Sequence, residues 1–188
     1  MAQKIIYLAG GCFWGVEHLM QSIPGVLDAE SGYANGSGKE QAVYTTVKTG
    51  TTGFRETVKV TYDAEIVSLE EILLAYFYVV DTTVQDRQGE DIGSQYQTGI
   101  YYIDAESEAV VRRIAAIEMS RGIDFFVEIK GLENFFPAEE YHQNYLVKNP
   151  DGYCHIPFEQ MDIFAKYRFT AEEYVKPAVQ VVGERLAK

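Results

Sequence analysis

The sequence predicts an α+β fold: a two-layer α/β plait with a ferredoxin-like core, helices packed on one face of a mixed sheet, and an irregular C-terminal tail. Three observations carry this. Strand-like and helix-like segments alternate along the chain. Their connections are too irregular for a long parallel sheet, which favours a plait over a doubly wound fold. A length of 188 residues, 47% of them hydrophobic, suffices for one core, and no internal repeat or composition break marks a domain boundary before the tail.

Taken in order, 4–9 reads as a buried strand and 13–23 as a helix with Val16, Leu19, Met20 and Ile23 on one face, stopped by Pro24-Gly25. A second strand follows over 26–33, a glycine-rich loop over 34–38, and a short helix over 40–48 that carries Tyr44. In the strand 54–62, Phe54, Glu56, Val58, Val60 and Tyr62 share one face. Glu56 is anomalous there: it either sits in water at a fraying strand end or is buried with a task. Ser68-Leu69-Glu70-Glu71 has the spacing of a capped helix start, and that helix runs to about Val80. Residues 81–97 lack apolar periodicity and read as a long irregular loop, of a length that is usually functional or disordered. A strand over 98–103, a helix over 105–121, a strand over 125–129 and a helical stretch over 139–147 complete the plait. Asn149-Pro150-Asp151-Gly152 breaks the last of these and delivers Tyr153-Cys154-His155-Ile156-Pro157 as an extended tail. Thr170 has the spacing to cap one final helix, which Pro177 must kink or end.

Composition narrows function. A formal charge of −12 with no basic cluster argues against nucleic acid and anionic membranes as partners. Met1-Ala2-Gln3-Lys4 leads straight into a strand-like run without a leader pattern, and the longest apolar run, 72–80, is too short to span a bilayer. A cytoplasmic monomer is the expectation. Two cysteines cannot form a disulfide scaffold, so any pairing between them is transient. Three scattered histidines make no convincing metal-ligand set, and no metal or other cofactor is expected.

The chemistry centres on Gly10-Gly11-Cys12-Phe13-Trp14-Gly15, which joins the first strand to the first helix. A thiol at a helix N-terminus faces unpaired N–H groups and the positive pole of the dipole, both of which favour thiolate. Local context leaves open a second reading, a cysteine packed as a small hydrophobe.

That motif is followed by Tyr44, by Thr52-Gly53-Phe54-Arg55-Glu56, by Asp91-Ile92-Gly93-Ser94-Gln95-Tyr96, by Tyr141-His142-Gln143-Asn144-Tyr145-Leu146 and by Lys148-Asn149-Pro150-Asp151-Gly152-Tyr153-Cys154. Together and in this order they resemble the peptide methionine sulfoxide reductase A family over most of the chain from Ile5 to Cys154. The resemblance implies an enzyme that reduces methionine-S-sulfoxide in oxidised proteins and peptides, and as the free amino acid. It implies that Cys12 attacks sulfur, that Glu56, Tyr44 and Tyr96 deliver a proton to the departing oxygen, and that Asp91 orders the donors or a water nearby. Phe13 and Trp14 would hold the methyl group, with Tyr145 and Tyr153 around the site. Cys154 would resolve a Cys12 sulfenic acid into a disulfide, which a thioredoxin reduces. The catalytic domain would span 1–155, and 156–188 would be an extension of unknown role. Two departures stand out: Phe54 replaces the family's usual histidine, and no cysteine follows Cys154. A cysteine peroxidase, a cysteine hydrolase and a peptide-binding module each leave some of these residues without a task.

Overall fold

The computed structural model describes residues 1–188. Its elements are β1 (Gln3–Ala9), α1 (Phe13–Ser22), β2 (Val26–Ala34), α2 (Tyr44–Val47), β3 (Arg55–Asp63), α3 (Leu69–Val79), β4 (Arg87–Gln88), β5 (Asp91–Ile92), β6 (Gly99–Tyr102), α4 (Ala105–Met119), β7 (Glu128–Gly131), β8 (Phe135–Pro137), α5 (Tyr145–Lys148), α6 (Phe158–Lys166) and α7 (Ala178–Leu186). The main sheet has the order β7-β6-β1-β3-β2-β8. β1 runs antiparallel to both β3 and β6, and β3 antiparallel to β2. Two split βαβ units, β1-α1-β2 and β3-α3-β6, therefore interleave, which is the expected ferredoxin-like plait. β6 and β7 pair in parallel across α4, so the sheet is mixed.

Strand alternation places Ile6 and Leu8 of β1, Val58 and Val60 of β3 and Ile100 of β6 in the large core under the helices. The opposite face is smaller, with Tyr7, Ala9, Ala34 and Tyr101 beside Phe135. α3 and α4 start at side-chain caps: Ser68 Oγ accepts the Glu71 N–H at 3.1 Å, and Asp104 Oδ1 accepts the Ser107 N–H at 2.7 Å.

Several segments differ from expectation, each for a long-range reason. The stretch 40–48 splits into a 3₁₀ turn (Lys39–Gln41) and α2, because Glu139 Oε2 accepts the Tyr44 N–H at 3.0 Å and starts a new helix there. The loop 81–97 is ordered, with the β4-β5 ribbon and a 3₁₀ turn (Ser94–Tyr96). Two buried amides substitute for a hydrophobic pattern. Gln88 Oε1 accepts the Asp81 N–H at 2.9 Å, and Gln97 bridges the Asp86 N–H and the Phe126 carbonyl, both at 2.7 Å. Because the Phe126 N–H goes to the Thr82 carbonyl, β7 begins three residues later than the apolar pattern suggests. The helical reading of 139–147 breaks at Asn144, whose φ of 54° is left-handed.

The segment beyond Cys154 departs most. The irregular tail expected there contains α6 and α7, and Pro177 caps the start of α7 instead of ending a helix. Met161, Phe164, Phe169, Tyr174, Ala178, Val181 and Val182 belong to the same core as the plait. Two buried carboxylates fasten it: Glu71 accepts from Arg168 and the Phe169 N–H, and Glu118 Oε1 accepts from Tyr174 Oη and the Ala178 N–H, both at 2.7 Å.

Candidate active site

Cys12 is the N-cap of α1, buried at the bend where β1 ends. The bend needs glycine: Gly11 has a φ of 83°, and a Cβ there would lie 2.7 Å from the Gln88 side chain. The first amide of α1 does not wait for a ligand. The Phe13 N–H donates to Glu56 Oε1 at 3.1 Å, which brings the β3 carboxyl against the turn that holds the sulfur. The open question about Glu56 is settled as to place, because it is 3% exposed.

Cys12 and Glu56 share a cavity of about 180 Å³ with Phe13, Trp14, Tyr44, Asp91, Tyr96, His142 and Tyr153. Every candidate residue named from the sequence lines it except Tyr145 and Cys154. Tyr145 stands behind the wall, its ring stacked on Trp14 at 3.6 Å and 10°. The indole is fixed further by its Nε1–H, which donates to His142 Nδ1 at 3.0 Å. Tyr44 is seated by Glu139, which accepts its N–H and, on the other oxygen, the Tyr33 hydroxyl at 2.8 Å. At the mouth, the Tyr153 hydroxyl donates to Asp91 Oδ2 at 3.0 Å.

Protonation follows from this burial. Withdrawal from water pushes the Glu56 carboxyl up to about 8, with Asp91 adding to the rise and the Phe13 N–H opposing it. Tyr44 and Tyr96 are raised by burial first and the Glu56 carboxyl second, so both hydroxyls are donors. The expected thiolate at the helix terminus is overruled in this resting site. Burial, then Glu56, push the Cys12 thiol well above its ordinary value, against the pull of the Trp14 N–H. A dipole within one turn does not outweigh desolvation beside an acid.

Cys154 is half-buried in the strap between α5 and α6, and its thiol donates to the Ile156 carbonyl at 3.1 Å. It lies over the first turn of α1, where a Cβ on Gly15 would come within 3.1 Å of its sulfur. Both cysteines are free thiols. The strap is held at each end by a helix, so the extended segment the sequence suggests is a tethered link and not a tail.

A model of the family described as peptide methionine sulfoxide reductase matches residues 4–173. The chain belongs to that family, in its A type. A crystal structure of reduced Mxr1 from Saccharomyces cerevisiae superposes with a TM-score of 0.77 and 34% identity, over 81% of this chain and 89% of that one. Methionine sulfoxide reductase A of Corynebacterium diphtheriae gives 0.72 and 31%, over 83% and 84%. Mxr1 in complex with Trx2 gives 0.55 and 22%, over 77% and 85%. As a reductase of this family, the chain is an oxidoreductase that reduces methionine sulfoxide. No helix is long and apolar enough to cross a membrane.

Within this reductase, Phe54 is a core side chain, with its ring edge-on to Tyr33 at 6.4 Å and to Phe136 at 6.0 Å. It replaces the hydrogen bond a histidine would offer with packing. Three side chains around the site escaped sequence reasoning: His142, Glu139 and His155. His142, one of the three scattered histidines, is buried among aromatic rings and also lines the cavity. The available signal was its place between Tyr141 and Tyr145 in a matching motif. Glu139 and His155 carry none, because the groups they bond, the Tyr44 N–H and Tyr33 hydroxyl for Glu139 and the Gly10 carbonyl for His155, lie 95, 106 and 145 residues away.

Proposed function

We propose that Cys12 Sγ attacks the sulfur of methionine-S-sulfoxide, whether in a peptide or as the free amino acid, while Glu56 protonates the sulfoxide oxygen and Tyr44 and Tyr96 hydrogen-bond it. The oxygen passes to Cys12, the substrate sulfur gains the two electrons that Cys12 loses, and the Cys12 thiol proton restores the Glu56 carboxyl. Phe13 and Trp14 accept the methyl group, which a small apolar wall separates from oxygen. Asp91, tied to Tyr153, orders the mouth of the cavity. Cys154 then displaces water from the Cys12 sulfenic acid, and a thioredoxin-type protein reduces the disulfide. The Trx2 complex of the yeast relative speaks for that class of reductant. Residues 1–155 carry the chemistry, 156–188 brace it, and the enzyme works as a cytoplasmic monomer.

The observation that carries this reading is the Glu56 carboxyl: buried, without a cation, and hydrogen-bonded to the first amide of the helix that begins at the thiol. An oxide leaves sulfur only as it is protonated, and this group keeps a proton at neutral pH.

The test is one turnover without reductant. Cys154→Ser is expected to make one methionine per enzyme, stop, and label with a sulfenic-acid reagent, while Cys12→Ser makes none. Normal cycling of Cys154→Ser with thioredoxin, or near wild-type turnover by Cys12→Ser, contradicts the assignment.

A further inference from the structure

The second half of this cycle has a proton to remove, and the residues assigned so far do not remove it. Cys154 must attack as a thiolate, but its thiol is bonded to the Ile156 carbonyl and burial raises it above the ordinary thiol value. Beside it in the chain, His155 turns inward. Its Nε2 lies 2.8 Å from the Gly10 carbonyl oxygen. A carbonyl only accepts, so Nε2 holds the ring proton and Nδ1 presents a bare lone pair. That Nδ1 is shut off from water and has no hydrogen-bond partner, an arrangement costly enough to need a reason.

The bare nitrogen and the thiol border the same spot. A Cβ on Gly15, in the turn that follows Cys12, would lie 3.3 Å from Nδ1 and 3.1 Å from Cys154 Sγ. The absence of a side chain at Gly15 leaves that spot open to both. The surroundings favour a neutral ring: burial lowers the imidazole, the Gly10 hydrogen bond and the Asp91 carboxylate oppose this, and the net direction is down. The other neighbours, Gly10, Gly11, Gly89 and Gln88, carry no charge. On its own segment the titratable groups are Cys154, Tyr153 and Asp151.

We propose that His155 is the general base of disulfide formation, with Nδ1 taking the Cys154 proton as Sγ swings from the Ile156 carbonyl toward oxidised Cys12. The S–S bond forms as the S–OH bond of the sulfenic acid breaks, and the hydroxide leaves as water with the proton returned by Nδ1. Cys154 is oxidised, the Cys12 sulfur is reduced, and no outside reagent is needed. The assignment rests on the sulfenic acid of the preceding reading. The Gly10 bond gives the ring a second task, fixing the strap to the loop of the nucleophile.

Rapid-quench single turnover separates the two steps, with methionine read by chromatography and loss of both thiols read by mass. In His155→Gln, an amide nitrogen can still reach the Gly10 carbonyl but no base remains. At pH 7 its disulfide step is expected to slow at least about ten-fold more than its methionine step, the lower end of general-base effects being about a hundred-fold. Sulfenic acid should accumulate. The slowed step should quicken about ten-fold per pH unit where the wild type has levelled off, and free imidazole should restore part of the rate in His155→Ala. Disulfide formation at the wild-type rate in His155→Gln, or equal loss in both steps, overturns the assignment, the second outcome marking a purely structural histidine. If Cys154→Ser never yields a sulfenic acid, the reading beneath fails and takes this base with it.

Discussion

Glu56 and Glu71 are withdrawn from water to the same degree, 3% and 4% exposed, and are held in opposite ways. Glu71, on α3, accepts two N–H groups from Arg168 at 2.8 and 3.0 Å and the Phe169 N–H at 3.0 Å. Glu56 accepts one N–H, from Phe13, and opens on the cavity that holds Cys12. Burial alone does not make an acid catalyst. Glu17 is pushed up to about 7 by burial and Glu118 is raised too, yet neither lines that cavity. What singles out Glu56 is a carboxyl that has no cation to hold it ionised and faces both a space for substrate and the cysteine.

The comparison breaks most visibly at Glu56. Replacing it with Gln keeps the acceptor for the Phe13 N–H and removes the proton, so the rate of methionine formation in a single turnover is expected to fall by roughly two powers of ten or more. Substrate binding should change less. A rate equal to wild type would make Glu56 a buried structural carboxyl like Glu71. The complementary change, Glu71→Gln, should leave the rate per folded molecule alone and lower stability to urea by about 1–2 kcal/mol, since Arg168 is 43% exposed and can turn to water while the amide still serves Phe169. Lost activity with unchanged stability would erase the contrast between the two sites.

How much of this was legible in the sequence depends on how far each group reaches for its partner. The plait was legible because β1, β3 and α1 carry their own periodicity, and the placement of Cys12 because glycines and an amphipathic run bracket it. The face of Glu56 could be read, but its burial could not: that depends on the Phe13 amide 43 positions away. The loop 81–97 looked structureless because glutamine amides, not apolar residues, order it. Thr170 does cap a helical turn, the 3₁₀ segment Ala171–Glu173, but α6 and α7 escape the sequence for a related reason. α6 and α7 are nine residues each and bury few side chains of their own, and their attachment runs through Glu71 and Glu118 on helices far upstream. The thiolate expectation failed because a helix dipole can be read from sequence, whereas the desolvation that outweighs it belongs to the folded site.

The pH dependence of methionine formation, measured in single turnovers of Cys154→Ser so that disulfide formation does not intrude, bears on the Glu56 proton most directly. A carboxyl raised to about 8 is protonated below that pH and loses its proton as pH climbs through it. The rate is therefore expected to hold level up to about pH 8 and then fall, by as much as about ten-fold per unit. Adding Glu56→Gln should remove that fall along with most of the rate. A rate that rises through pH 8, with the same profile in the Glu56→Gln background, would mean that thiolate formation at Cys12 limits the reaction and that Glu56 is not the acid.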